Sequence, residues 1–122
     1  MMKYTVDFMS FEEDDKDLII SFAIPDEALG VKSLILHRTL FFEEILDEEE
    51  RGVKVSLEGE KCENAFLNTL LKIEIKDTEV IICSKFSEYV LDLSKIEASD
   101  KSHMIRLLMK QNYDERFLIV ND

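Results

Sequence analysis

"LLKIEIKDTEVIIC", residues 70–83, alternates apolar and charged side chains on one flank of a short polar break and is rich in β-branched residues on the other. Leu71, Ile73 and Ile75 fall on one side, and Lys72, Glu74 and Lys76 on the other. Strict period-two alternation belongs to half-buried strands, whereas a helix repeats every three to four residues. "KDT" supplies the turn, so the stretch reads as an antiparallel hairpin.

The same period runs outward from it. In "GVKVSLEG", Val53, Val55 and Leu57 point one way and Lys54 and Ser56 the other, with Gly52 and Gly59 bracketing the strand. A charge at Val55 is therefore expected to be intolerable and one at Lys54 to matter little. In "VKSLILHRTLFF", Leu34, Leu36 and Leu40 share a side and His37 lies opposite. In "DLIISFAI", Leu18, Ile20, Phe22 and Ile24 share a face, as do Tyr4, Val6 and Phe8 in "YTVDF". The acidic "FEEDDK" between those two windows predicts a hairpin, and "IPDEALG" a turn around Pro25 and Gly30. "EYVLDLS" adds a strand through Tyr89, Leu91 and Leu93, and "RFLIV" a last one.

One segment changes period. In "ASDKSHMIRLLMKQN", Met104, Leu107, Leu108 and Gln111 occupy adjacent helical turns, with Ile105 beside them. Ser99 or Asp100 is a candidate N-cap, Arg106 and Lys110 suit the C-terminal end of the helix dipole, and Asn112 is expected to close the helix in a left-handed conformation. The fold class is therefore α+β: a single domain, residues 1–122, mainly antiparallel sheet of about seven or eight strands, with one principal helix near 98–111.

Composition excludes several functions. The 122 residues carry 27 acids and 15 bases, a net charge of −12. The excess is concentrated in residues 1–60, with 16 acids and 6 bases. Nucleic acid and anionic membrane surfaces both require a basic face, so neither is an expected partner. Cys62 and Cys83 lie outside any CxxC spacing and read as reduced, packed thiols. The start, "MMKYTVDF", holds no apolar run of signal-peptide length, and no run is long enough to span a membrane. The expectation is a cytoplasmic protein.

Chemistry-bearing motifs are few. No GxSxG, GxGxxG or GKS/T pattern occurs, and His37 and His103 are isolated from the cysteines. "DEEER" and "EEDDKD" offer carboxylates without the spacing of a calcium loop. No catalytic, cofactor or metal residue is expected. Arg116 in "QNYDERFLIV" is expected to pair with Asp114 or with an acid of the first half, in a structural role.

The remaining segment is "FFEEILDEEERGVKVSLEGE", residues 41–60, with eight acids and two bases. Phe41, Phe42, Ile45 and Leu46 have helical spacing, yet Glu43/Asp47 and Glu44/Glu48 set like charges four apart, which disfavours a helix by a few tenths of ~1 kcal/mol per pair. The reading is a strand through Phe42, an irregular stretch or short helical turn, then the next strand. Residues 43–50 are expected to form an exposed acidic patch, joined in space by residues 12–15. Glu43, Glu44, Asp47, Glu48, Glu49 and Glu50 would face a basic protein partner, with Phe41 or Phe42 as an apolar anchor. The plain alternative is that these charges only confer solubility.

The order of elements over residues 31–111 resembles the tenth immunity-protein family of bacterial polymorphic-toxin systems. The resemblance rests on "SLILHRT", the acidic connection into "ERGVKVSLEG", the "LLKIEIKDTEVIIC" hairpin, and "YVLDLSKI" running into a helix. The segment after "VSLEG" departs from the Gly-rich character of that family. The resemblance implies a non-enzymatic protein that neutralises a toxin domain by binding it. The functional expectation is thus an acidic protein-binding module. A structural or regulatory domain, a small enzyme or a divalent-cation-binding protein are the alternatives, and homo-oligomerisation stays open.

Overall fold

The computed structural model describes residues 3–121, so residues 1, 2 and 122 of the expected 1–122 domain lie outside it. Nine strands and one α-helix make an α+β fold of two mostly antiparallel sheets. In chain order the elements are β1 (Lys3–Thr5), β2 (Phe8–Glu13), β3 (Asp17–Asp26), β4 (Gly30–Thr39), β5 (Lys54–Leu57), β6 (Leu70–Ile75), β7 (Glu79–Ser84), β8 (Glu88–Asp92), α1 (Ala98–Gln111) and β9 (Leu118–Asn121). One sheet has the order β2-β3-β4-β5, the other β1-β8-β7-β6-β9.

Backbone hydrogen bonds also join the two sheets at both ends. On one side the chain itself crosses from β1 into β2: Val6 N–H donates to Asp92 O, and Asp7 N–H to Ala23 O. On the other, Val55 N–H donates to Asn68 O and Leu70 N–H to Val53 O, which ties β5 to the start of β6. Asn68 fastens this second seam: its buried amide donates to Val55 O and accepts from Phe86 N–H, both at 2.9 Å. The strands thus form a continuous ring, with β9 added outside β6 in parallel register, Lys72 opposite Leu118. Closing a sheet on itself satisfies edges that would otherwise be open.

A single apolar core fills the ring. Leu18, Ile20, Phe22 and Ile24 of β3, Leu34 and Leu36 of β4, and Val53, Val55 and Leu57 around β5 are all buried, as their alternation predicts. Tyr89, Leu91 and Leu93 join them, as do Met104, Leu107 and Leu108 of α1. The helix spans the residues its periodicity indicates, 98–111.

Five local expectations need correction. First, the partner of β3 is β2, with Phe8 opposite Ala23; β1 instead runs parallel to β8, Lys3 opposite Val90. The N-terminal segment changes sheets at Val6–Asp7, so Phe8 turns outward at 55% exposure while Val6 is buried. That split also raises the strand count to nine. Second, the register shifts between Leu70 and Lys72, so Leu70 enters the core and Leu71 is left 52% exposed. A bulge moves one residue out of phase, and no alternation pattern reveals it. Third, the residue that caps α1 is Glu97, whose side chain makes no capping bond; Ser99 and Asp100 lie within the first turn. Fourth, Asn112 keeps a negative φ of −100°, and the residue of this turn with positive φ is Glu115 at 56°. Asn112 closes the turn with its side chain, donating to Phe117 O and accepting from Phe117 N–H. Fifth, Lys54 is not a free surface charge. Its ammonium donates to Glu50 O, and burial pulls its pKa down against the opposing pull of Glu43 and Glu50.

Candidate functional site

β4 carries Leu34 and Leu36 into the core, and period two puts Arg38 on that same face. Its guanidinium is fully buried. An isolated charge there would be prohibitively costly, so every N–H must find an acceptor. Nε donates to the Glu43 carboxylate at 3.0 and 3.2 Å, and Nη1 to Gln111 O at 2.7 Å and Asp114 Oδ1 at 2.8 Å. Nη2 lies 2.9 Å from Asp114 Oδ2 and 3.0 Å from the Tyr113 hydroxyl, and also donates to Glu43. The Tyr113 ring stacks on the guanidinium with its centroid 4.2 Å away. Burial opposes the charge, but the bonds to Asp114 and Glu43 outweigh it and hold the Arg38 pKa above its ordinary value.

Arg38 therefore ties three distant segments together: strand β4, the 41–50 loop through Glu43, and the turn after α1 through Gln111, Tyr113 and Asp114. Glu43 also accepts from Gly52 N–H at 3.3 Å and from the Tyr113 hydroxyl at 3.2 Å. Gly52 has φ +113°, a conformation that L side chains rarely adopt, which brings its N–H round to the carboxylate. Beside it, Gln111 donates to Leu18 O and Leu36 O, binding the end of α1 to β3 and β4.

The strand expected to run through Phe42 ends at Thr39, and the anchored loop is two single turns of 3-10 helix, Glu43–Ile45 and Glu48–Glu50, in keeping with the short helical turn expected there. Glu43, expected in the exposed patch, is instead buried at 6% exposure. It is spent on Arg38 and cannot face a partner. Glu44, Asp47 and Glu49 are exposed, and their carboxylates make none of the ion pairs of the described residues. Glu48 is also exposed but bridges Arg51 and Arg116, at 3.4 and 2.8 Å. Glu50 is half-buried beside Lys54. Arg116 makes both of its expected pairs, with Asp114 and with Glu48 of the first half.

Phe41 and Phe42 stand 56% and 58% exposed, edge to face with centroids 4.4 Å apart, and Ile45 beyond them is 75% exposed. The turn between β2 and β3 adjoins them: Leu40 N–H donates to Lys16 O, and the Lys16 ammonium lies 5.9 Å from the Phe41 ring. The turn that contains Asp14 and Asp15 thus lies next to the aromatic pair.

Other candidate groups are dispersed. His37 Nε2 lies 2.7 Å from Asp17 Oδ1, and His103 stacks on Phe11 at 4.0 Å. Cys62 and Cys83 are free. Burial, helped by Glu88, pushes the Cys83 thiol pKa up, which makes it a poorer nucleophile. Among the described residues no three His, Cys, Asp or Glu side chains are grouped to hold a metal, and no helix is long and apolar enough to cross a membrane.

The Arg38 hub has a pH signature. The hydrogen bonds from Arg38, and then those from Arg116, hold the Asp114 carboxyl at about 2, below its unfolded value. A depressed carboxylate pKa contributes stability above the unfolded pKa of ~3.9, and that contribution is lost as pH falls through about 2. The urea midpoint of an Asp114→Asn variant is therefore expected to vary less than wild type between pH 5 and pH 2. An unchanged pH profile would show that the pair adds nothing.

Sequence reading passed over Arg38, although the signal was there: a charge in register with Leu34 and Leu36. No family model, curated protein or solved structure matches the chain, so the geometry of this loop and its anchor is what bears on function.

Proposed function

We propose that the chain is a non-enzymatic protein-binding module whose contact surface is the 41–50 loop. The observation that carries this reading is the trio Phe41, Phe42 and Ile45, exposed side by side on a loop fixed from beneath by a buried ion pair. Large apolar side chains held in the open cost solvation without helping the core, and a rigid aromatic anchor with a polar rim is how interfaces concentrate their energy. Preorganisation by Arg38 lowers the ordering cost of binding.

The partner is a basic protein. Glu44, Asp47 and Glu49 are exposed on the same loop, make no ion pair among the described residues, and would steer a positive surface toward it. A toxin domain with a basic, nucleic-acid-binding cleft meets this description, and it is the kind of partner that the resemblance to immunity proteins implies. Neutralisation would then be occlusion of that cleft.

The test begins with the product of the upstream gene, titrated against the purified chain at low and high salt. Phe41→Ala together with Phe42→Ala is expected to weaken binding by about 30-fold or more, mostly through faster dissociation. Glu44→Gln, Asp47→Asn and Glu49→Gln combined are expected to slow association and flatten its salt dependence. Unchanged affinity in the double Phe variant removes the loop from the interface.

A further inference from the structure

A cleft of about 390 Å³, with neither Phe41 nor Phe42 in its lining, opens between the same loop and the start of β6. In a chain of net charge −12, three cations line it, Arg51, Lys85 and Arg116, against two acids, Glu48 and Glu49. Two of them are fixed by groups other than the cleft's contents. Arg51 donates through Nε to Leu46 O at 3.1 Å and through Nη2 to Glu44 O at 2.9 Å, which leaves its Nη1 free to point elsewhere. Arg116 donates through Nε to Asp114 at 2.6 Å, and its methylene stem lies over Gly52, 3.5 Å from where a side chain there would begin. One nitrogen of each, Arg51 Nη1 and Arg116 Nη2, meets the carboxylate of Glu48, at 3.4 and 2.8 Å. Lys85 makes no ion pair among the described residues; its ammonium lies 5.6 Å from the Phe86 ring.

The Glu48 side chain is 75% exposed, so charge holds it there and packing does not. Two prearranged guanidinium groups meeting on a carboxylate that solvent can readily displace have the geometry of an occupied oxyanion site, with the occupant supplied by the chain itself.

We propose that the cleft between Arg51, Lys85 and Arg116 is a carboxylate-binding site, kept closed in the free protein by Glu48. Its ligand is a carboxylate from outside the chain, either a free dicarboxylate or an acidic side chain of a bound polypeptide. Such a group takes the place of Glu48 between the arginines, and a second carboxylate or the adjoining chain reaches Lys85. A tethered competitor acts at an effective concentration of the order of millimolar or above, so free ligands meet a masked site. The inference does not depend on the 41–50 loop being an interface.

Succinate and an acetylated, amidated Glu-Glu dipeptide are the probes, titrated by NMR on the Arg51 and Arg116 side-chain Nε–H signals. Wild type is expected to bind weakly, Glu48→Gln about tenfold more tightly, and Glu48→Gln with Lys85→Gln to lose most of that gain. Stronger binding of the dipeptide assigns the site to a polypeptide partner, and stronger binding of succinate to a small molecule. If Glu48→Gln binds neither probe more tightly than wild type while keeping its folded spectrum, Glu48 is only a brace and the proposal fails. The Arg116→Gln variant checks the geometry: it should abolish the gain in the Glu48→Gln background, and retention of the gain would place the ligand elsewhere.

Discussion

Replacing Arg38 by Met is expected to lower the unfolding free energy by about 3–5 kcal/mol, read as a fall in urea midpoint with little change in slope. The loss comes from what the substitution leaves behind. Glu43 stays buried without its cation, Gln111 O loses a donor, and Asp114 keeps only Arg116. Removing one member of a buried pair costs far more than the pair contributes net. The double variant Arg38→Met with Glu43→Leu is therefore expected to regain at least half of the loss, since no unpaired charge remains inside. A double variant as unstable as the single one would mean that packing of the guanidinium, and not its charge balance, holds the loop. Binding would follow a different course: the double variant folds, but its 41–50 loop keeps only the exposed Glu48–Arg116 pair as a side-chain tie to the turn after α1.

Val55→Asp is expected to cost about 4–5 kcal/mol or more and to leave little folded protein at 37 °C. Val55 is 1% exposed, lies opposite Leu36, and exchanges hydrogen bonds with Asn68 across the seam between the sheets. The buried cation on that face of β4, Arg38, is already paired with Glu43 and Asp114, so a carboxylate at position 55 would stand unpaired. The adjacent control is instructive. Lys54→Asp is expected to cost about 1–2 kcal/mol, because it removes the bond to Glu50 O and sets a second carboxylate near Glu43. Equal urea midpoints for Val55→Asp and wild type would refute the assignment of the core face.

What the sequence reveals follows a physical boundary. Alternation recorded the burial of β4 and β5 residue by residue, because each of those strands has one wetter face and one dry one; in β3 and β8 the expected residues are buried, but Ala23 and Val90 between them are buried too. The 3.6-residue period located α1 for the same reason. The change of sheet at Val6–Asp7 and the bulge at Leu71 were illegible, since both are decided by contacts with residues more than ten positions away. Arg38 was legible yet unread. A charge in phase with Leu34 and Leu36 already implies a buried cation with partners, and the nearby "FFEEIL" supplies the first of them. Glu43 shows the converse: composition groups it with its acidic neighbours, while its register relative to Arg38 removes it from the surface.

The ring of strands also sets an order of events during synthesis. β1 pairs in parallel with β8, Lys3 opposite Val90 and Thr5 opposite Asp92, so β1 must wait for a strand made long after it. At ribosomal speeds of roughly 5–20 residues per second, that wait is about 4–17 s. In the meantime β2, β3 and β4 can already pair as a meander, their partners being close in sequence. The β1 backbone ladder and the Val6 N–H have their partners only once β8 emerges. The nascent chain therefore carries an unclosed β-surface along β1 for seconds, and it is in that interval that a chaperone or a neighbouring nascent chain would find it.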